Sequence, residues 1–174
     1  FSATNHRLFR RGTNLRDYPL TAFAIPLVVL AGAVASFAEP TEIAPYFLKV
    51  FLLWSPYHFS GQNVGLSLLY AKRAGFEFKN WERRALAYFT FSTFLATTLH
   101  GETSGGGSSY FQVALPSFHL PREFGSAGWY LLYASAAVCI FAIGRRLFKG
   151  ERFFPLITLV PPLAQFTWFV VGWR

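Results

Sequence analysis

Residues 20–38 read LTAFAIPLVVLAGAVASFA, nineteen residues without a single charge. A bilayer core is about 30 Å thick, so a helix needs about 20 mostly apolar residues to cross it. Four further mostly apolar runs follow, at 43–71, 81–99, 128–147 and 153–173. These runs are too long and too uniformly apolar for the alternating pattern of a barrel strand. The sequence therefore predicts an all-α polytopic membrane bundle, a single domain of residues 1–174 with five transmembrane helices.

The composition agrees with this prediction. Of the 174 residues, 53% are hydrophobic and only 14% are charged, whereas soluble domains average about 45–50% and about 25%. So few charges cannot cover a folded surface, which argues against an ordinary soluble enzyme, and the high hydrophobic content argues against a disordered chain. The single cysteine, Cys139, excludes an internal disulfide, and no Cys/His cluster with the spacing of a structural zinc site is present.

The basic residues orient the predicted helices. Thirteen of the 16 Lys and Arg lie before the first run, between the second and third or in the first turn of the third, and between the fourth and fifth. This asymmetry follows the positive-inside rule and places the N-terminus in the cytoplasm. We attribute the net charge of +8 to contact with anionic headgroups and expect no nucleic-acid partner. The thirteen residues are Arg7, Arg10, Arg11, Arg16, Lys72, Arg73, Lys79, Arg83, Arg84, Arg145, Arg146, Lys149 and Arg152.

A loop at 101–127 lies on the opposite side of the membrane. It opens with GETSGGGSS at 101–109, a composition typical of a flexible segment. The apolar stretch at 110–120 is too short to span a bilayer, so a short interfacial or re-entrant element is expected there. Because the sequence lacks methionine and stops directly after an apolar run, we expect it to be part of a longer protein.

Polar residues interrupt the second apolar run at 54–65, which reads WSPYHFSGQNVG. Counted from Ile43 at 1.5 Å per residue, His58 lies about 22 Å into the helix, near the middle of the bilayer. At 100° per residue, Ser55, His58 and Gln62 share one face, and Asn63 points away from it. Polar groups in hydrocarbon are costly, so the sequence predicts that this stripe faces protein or a water-filled cavity.

Three functions remain open for the stripe. In the first, it binds a cofactor, pigment, lipid or small substrate, with His58 as ligand or general base and with Ser55 and Gln62 orienting it. In the second, the chain is a structural or assembly subunit of a membrane complex. Its polar side chains then hold helices together, and the spacing of Gly61 and Gly65 predicts close approach of another helix or subunit. In the third, the chain is a transporter with broken helices at mid-depth.

Two further positions belong to these hypotheses. Pro161-Pro162 interrupts the fifth run close to Gln165, and the carbonyls that the prolines free need partners. We therefore expect Gln165 to contact the His58 stripe. His100 is expected at the outer interface, about 15–20 Å from His58 in depth. That separation excludes one shared metal ion, although either histidine is a possible ligand of a haem or pigment.

The stretch from Trp54 to Gly65, with its Trp-x-Pro-Tyr-His-Phe-x-Gly-Gln-Asn-x-Gly pattern, resembles a run found in uncharacterised polytopic membrane proteins of bacteria. The resemblance covers about a dozen residues. It implies a bacterial inner membrane and further helices after Arg174, and it implies no activity, substrate or cofactor. The sequence holds no GxGxxG, Walker, GxSxG or HExxH motif, so whether the chain is an enzyme stays open.

Overall fold

The computed structural model describes residues 18–104, 109–110, 113–148 and 154–171. The predicted basic segment before the first helix lies outside these ranges, as do Lys149, Arg152 and the last three residues. Within the described ranges the chain consists of helices, the connections between them and one small hairpin, so the all-α prediction is confirmed.

Each of the five apolar runs forms a helix. The helices are α1 (Leu20–Ala38), α2 (Ala44–Arg73), α3 (Asn80–Thr103), α4 (Arg122–Phe148) and α5 (Leu156–Val171). By length and composition, α1 and α4 could cross a membrane. Helices α2 and α3 carry more polar side chains and are less apolar than α1 and α4. Helix α5 is apolar but shorter. That all five helices cross a membrane therefore stays a prediction.

Two helices differ from the predicted boundaries. Helix α4 begins at Arg122, six residues before the apolar run, because a helix continues through polar residues that hydropathy alone assigns to a loop. Helix α5 consists of a 3-10 turn (Leu156–Leu159), an α-helical segment (Val160–Phe166) and a π-helical turn (Thr167–Val171). Pro161 and Pro162 occupy the first turn of the α-helical segment, a position that tolerates proline because its fixed φ suits the helix.

The connection between α3 and α4 contains two short antiparallel strands, β1 (Ser109–Tyr110) and β2 (Val113–Ala114). The pairing lies at the start of the stretch 110–120, whose interfacial or re-entrant location stays a prediction. Residues 105–108 and 111–112 of the predicted outer loop lie outside the described ranges. After β2 the chain is tied back to α3, because the buried carboxylate of Glu102 accepts a hydrogen bond of 2.9 Å from the Phe118 N–H.

The chain divides into two compact units, residues 1–50 and 51–174, with the boundary inside α2. In the first unit, a close contact joins α1 to the first turn of α2. A Cβ atom built at Gly32 would lie 2.6 Å from the ring of Phe47. Only glycine therefore fits at this position of α1 without movement of the ring.

In the second unit, α3 and α4 form the main helix pair. Their shared core contains Leu86, Ala96 and Leu132, which are at most 2% exposed. The backbones approach each other closely at Gly128, where an added Cβ would lie 3.1 Å from the Ala96 Cα. Such close approach through a small residue is typical of helix packing in membranes. It occurs here at a glycine that the sequence analysis had not singled out.

One end of the second unit is closed by an ion pair between α3 and α4. The Arg146 guanidinium forms two hydrogen bonds with the buried Glu82 carboxylate, of 2.8 and 2.7 Å. The Lys79 N–H donates to the same carboxylate at 2.7 Å. The Arg146 guanidinium also lies 4.8 Å from the centre of the Phe76 ring, which packs edge-on against Phe154. The α2–α3 connection is thereby fastened to the end of α4.

Candidate functional site

The predicted stripe on α2 is a half-exposed face. The Gln62 amide nitrogen lies 2.9 Å from His58 Nε2, one helical turn away. His58 and Ser55 are half-buried, and Gln62 is exposed. On the same face, nothing lies within 4 Å of a Cβ built at Gly65. The two polar side chains predicted to share a face therefore do so, and they bond to each other along the helix.

The opposite face of α2 carries a buried polar cluster centred on Gln165 of α5. Gln165 is only 5% exposed. Its Oε1 accepts a hydrogen bond of 2.7 Å from the Asn63 Nδ2. Its Nε2 lies 2.8 Å from the Ser60 Oγ, 2.8 Å from the Thr90 carbonyl and 2.9 Å from the Thr93 Oγ1. One amide thus joins α2, α3 and α5.

Every polar group of this cluster has a partner, and the two N–H groups of the Gln165 amide are shared among three acceptors. The Ser60 hydroxyl donates its proton to the Pro56 carbonyl at 2.8 Å, and the Thr93 hydroxyl donates to the Thr90 carbonyl at 2.7 Å. Both oxygens therefore keep lone pairs for the Gln165 amide. Among the described residues, no buried side-chain nitrogen or oxygen lacks a hydrogen-bond partner. A cluster that is satisfied in this way stabilises the packing of helices and leaves no group free to react.

The prediction that Gln165 contacts the His58 stripe is wrong. Gln165 is buried and does contact α2, as predicted, but it contacts Asn63 and Ser60. The reason is rotational, because Asn63 lies about 100° around the helix from Gln62. Ser60, Asn63 and Ser67 form a second polar stripe with spacings of three and four residues. That spacing is the signal in the sequence that identifies the buried face of α2.

Among the residues that the structure describes, no helix backbone approaches Gly61 or Gly65 closely. A Cβ at Gly61 would lie 4.0 Å from the end of the Phe91 ring, and Gly65 faces open space. Contact of these glycines with another subunit stays a prediction. The binding roles proposed for His58, Ser55 and Gln62 are likewise predictions.

His100 lies near the end of α3, beside an aromatic pair of α4. Its ring meets the Trp129 ring edge-on at 6.0 Å between centres, and Trp129 stacks on Tyr133 at 6.2 Å. These residues line a groove of about 680 Å³ between α3, α4 and α5. In the part of the chain that the structure describes, no three His, Cys, Asp or Glu side chains are grouped to hold a metal ion.

Comparisons with protein-family models, with curated proteins and with solved structures gave no match to this chain.

Proposed function

We propose that this chain is a multi-pass integral membrane protein with five transmembrane helices, and that it is a subunit of a larger membrane complex. The half-exposed face of α2 would bind a transmembrane helix of another polypeptide. The observation that carries the proposal is the hydrogen-bonded pair of His58 and Gln62 beside the open surface at Gly65.

Exposed apolar surface supports the membrane part of the proposal. Only 6% of the apolar window of α1 and 28% of that of α4 are buried, whereas a core helix of a soluble protein is mostly buried. Large apolar side chains lie on these surfaces, among them Phe37, Ile140 and Phe141 at 88%, 70% and 63% exposure. Exposed apolar surface of this extent is typical of contact with lipid or with other proteins.

The distribution of basic residues supports an orientation with the N-terminus in the cytoplasm. Arg73, Lys79 and Arg145 lie at ends of α2, α3 and α4 that this orientation assigns to the cytoplasmic side. The resemblance of residues 54–65 to bacterial polytopic proteins favours the bacterial inner membrane as the location.

The polar face of α2 supports the subunit part. At mid-depth of a bilayer, the exposed side chain of Gln62 would meet hydrocarbon unless another protein surface or water covers it. Gly61 and Gly65 leave the helix backbone accessible beside the pair of His58 and Gln62, and small residues at this spacing allow a second helix to approach closely. Polar side chains next to such a contact form hydrogen bonds across it, each contributing about 0.6–2 kcal/mol.

A second candidate function uses the same face. The Gln62 amide fixes the orientation of the His58 imidazole, and an oriented imidazole is suited to coordinate a cofactor or pigment or to accept a proton. In this alternative a cofactor, pigment, lipid or small substrate replaces the partner helix, with Ser55 contributing a hydroxyl. Gln165 belongs to the buried cluster and takes no part.

Replacement of Gly65 by leucine tests the subunit function, with Gly144→Leu as the matched control. Both glycines face open space within the chain, so neither change should unfold it. We expect Gly65→Leu to reduce the mass of the complex extracted from native membranes in mild detergent, and Gly144→Leu to leave it unchanged. An unchanged mass for both variants would contradict a helix contact at this face.

The variant His58→Ala distinguishes the second candidate. A bound pigment or haem gives an absorption band in the purified wild-type protein, and this variant should lose that band while the mass of the complex stays constant. If the band is absent from the wild type and the complex dissociates in His58→Ala, the subunit function is favoured.

A further inference from the structure

The groove between α3, α4 and α5 is separate from the α2 face and is built from different side chains. Thr97 and His100 of α3 form one wall, Trp129 and Tyr133 of α4 a second, and the last turns of α5 the third. Its volume of about 680 Å³ lies within the range of about 300–1,000 Å³ that is usual for small-molecule sites. The groove thus has the size of a ligand site.

The side chains in this groove favour a particular ligand chemistry. None of those that line it is a Lys, Arg, Asp or Glu, so the lining offers no counter-charge to an ionic headgroup. The imidazole of His100, the indole of Trp129 and the phenol of Tyr133 each carry a polar hydrogen. The Thr97 hydroxyl already donates to its own helix. The lining therefore matches an uncharged hydrogen-bond acceptor.

The shape of the walls favours a planar group. The rings of Trp129 and Tyr133 stack with an angle of 27° between their planes, and His100 meets Trp129 edge-on. Aromatic rings bind other flat rings through offset stacking and edge contacts. The rest of the lining is apolar and includes Leu132, Phe166 and Val170, which suits a hydrocarbon chain attached to the ring.

We propose that this groove binds a neutral amphiphile of the quinone class, a carbonyl-bearing planar ring with an apolar chain. The ring lies against Trp129 and Tyr133, a ring carbonyl accepts a hydrogen bond from His100, and the chain follows Phe166 and Val170. This proposal does not depend on the subunit contact at α2 and concerns binding only.

Binding of decylubiquinone to the purified protein in detergent tests the proposal, measured by the ligand-induced rise in melting temperature. We expect saturable binding to the wild type. His100→Ala should weaken it about 3- to 10-fold, as expected for the loss of one hydrogen bond. His119→Ala is the matched control, because His119 is also exposed and does not line the groove; it should leave binding unchanged.

Two further measurements make the test decisive. Val170→Trp fills the apolar part of the groove and should abolish binding while the far-ultraviolet circular dichroism stays that of the wild type. Decylbenzene has the same chain without carbonyls and should bind at least about 3-fold more weakly than the quinone. Equal binding of the two compounds, absence of quinone binding, or binding that is insensitive to both His100→Ala and Val170→Trp would overturn the proposal.

Discussion

Asn63 in α2 donates a hydrogen bond of 2.7 Å to the side-chain carbonyl of Gln165 in α5, although 102 residues separate them in the sequence. Both groups are amides, and neither finds an equivalent partner within its own helix among the hydrogen bonds described. The pair therefore specifies which faces of α2 and α5 meet.

Removal of the Gln165 amide is expected to destabilise the second unit. Gln165→Leu keeps the approximate volume but deprives the Asn63 amide of its acceptor, at a cost of about 1–3 kcal/mol. Gln62→Leu is the control, because Gln62 is exposed and bonds only along its own helix. Denaturation of the detergent-solubilised protein, followed by circular dichroism, measures both. Equal stability losses would refute the central role of Gln165.

The ion pair between Arg146 and Glu82 predicts that two adjacent arginines contribute differently to the stability of the protein. Arg146→Ala leaves the buried Glu82 carboxylate without its guanidinium and should cost about 3 kcal/mol, the lower end of the range for a broken buried pair. We expect the lower end of this range because the Arg146 side chain is 13% exposed and the pair is therefore not fully buried. Arg145→Ala removes an exposed charge and should change stability by less than about 0.5 kcal/mol. The same denaturation experiment compares them, and similar losses would contradict the prediction.

Two glycines of α4 should respond oppositely to replacement by alanine. The added methyl of Gly128→Ala would lie 3.1 Å from the Ala96 Cα, a backbone atom that cannot rotate away, so we expect a loss of about 1–3 kcal/mol. Gly144→Ala meets nothing within 4 Å and should be neutral or stabilising by up to about 1 kcal/mol, because alanine favours the helix. Melting temperatures measure both. A Gly128→Ala protein as stable as the wild type would show that α3 and α4 lie further apart.

Accessibility labelling tests the proposed membrane orientation. Ser104 follows α3 directly and Lys79 precedes it, so five membrane crossings place them on opposite sides. With the buried Cys139 replaced by serine, an impermeant thiol reagent should label Ser104→Cys only from outside the cell and Lys79→Cys only after the membrane is opened. Labelling of both from the same side would exclude a membrane crossing by α3.

The sequence predicted the helices well and their rotation poorly. Long apolar runs specify where a helix exists, and α1 begins and ends at the predicted residues. Helix α2 carries two polar stripes, and hydropathy does not show which of them faces the interior. The choice between His58 and Asn63 as the inward residue depends on Gln165, Thr90 and Thr93, which are distant in the sequence. Gln165 was correctly expected to be a buried contact of α2, but its partner was assigned to the wrong stripe.

The Gln165 cluster also has a consequence for the order of events during synthesis. The hydroxyls of Ser60 and Thr90 bond to carbonyls of their own helices, so they are satisfied as soon as those helices exist. The Asn63 amide bonds to a residue made 102 positions later. Until the ribosome has completed α5, α2 and α3 are present but lack the amide that links them. In a nascent chain arrested before residue 165, the Asn63 amide therefore lacks the acceptor that it has in the folded protein.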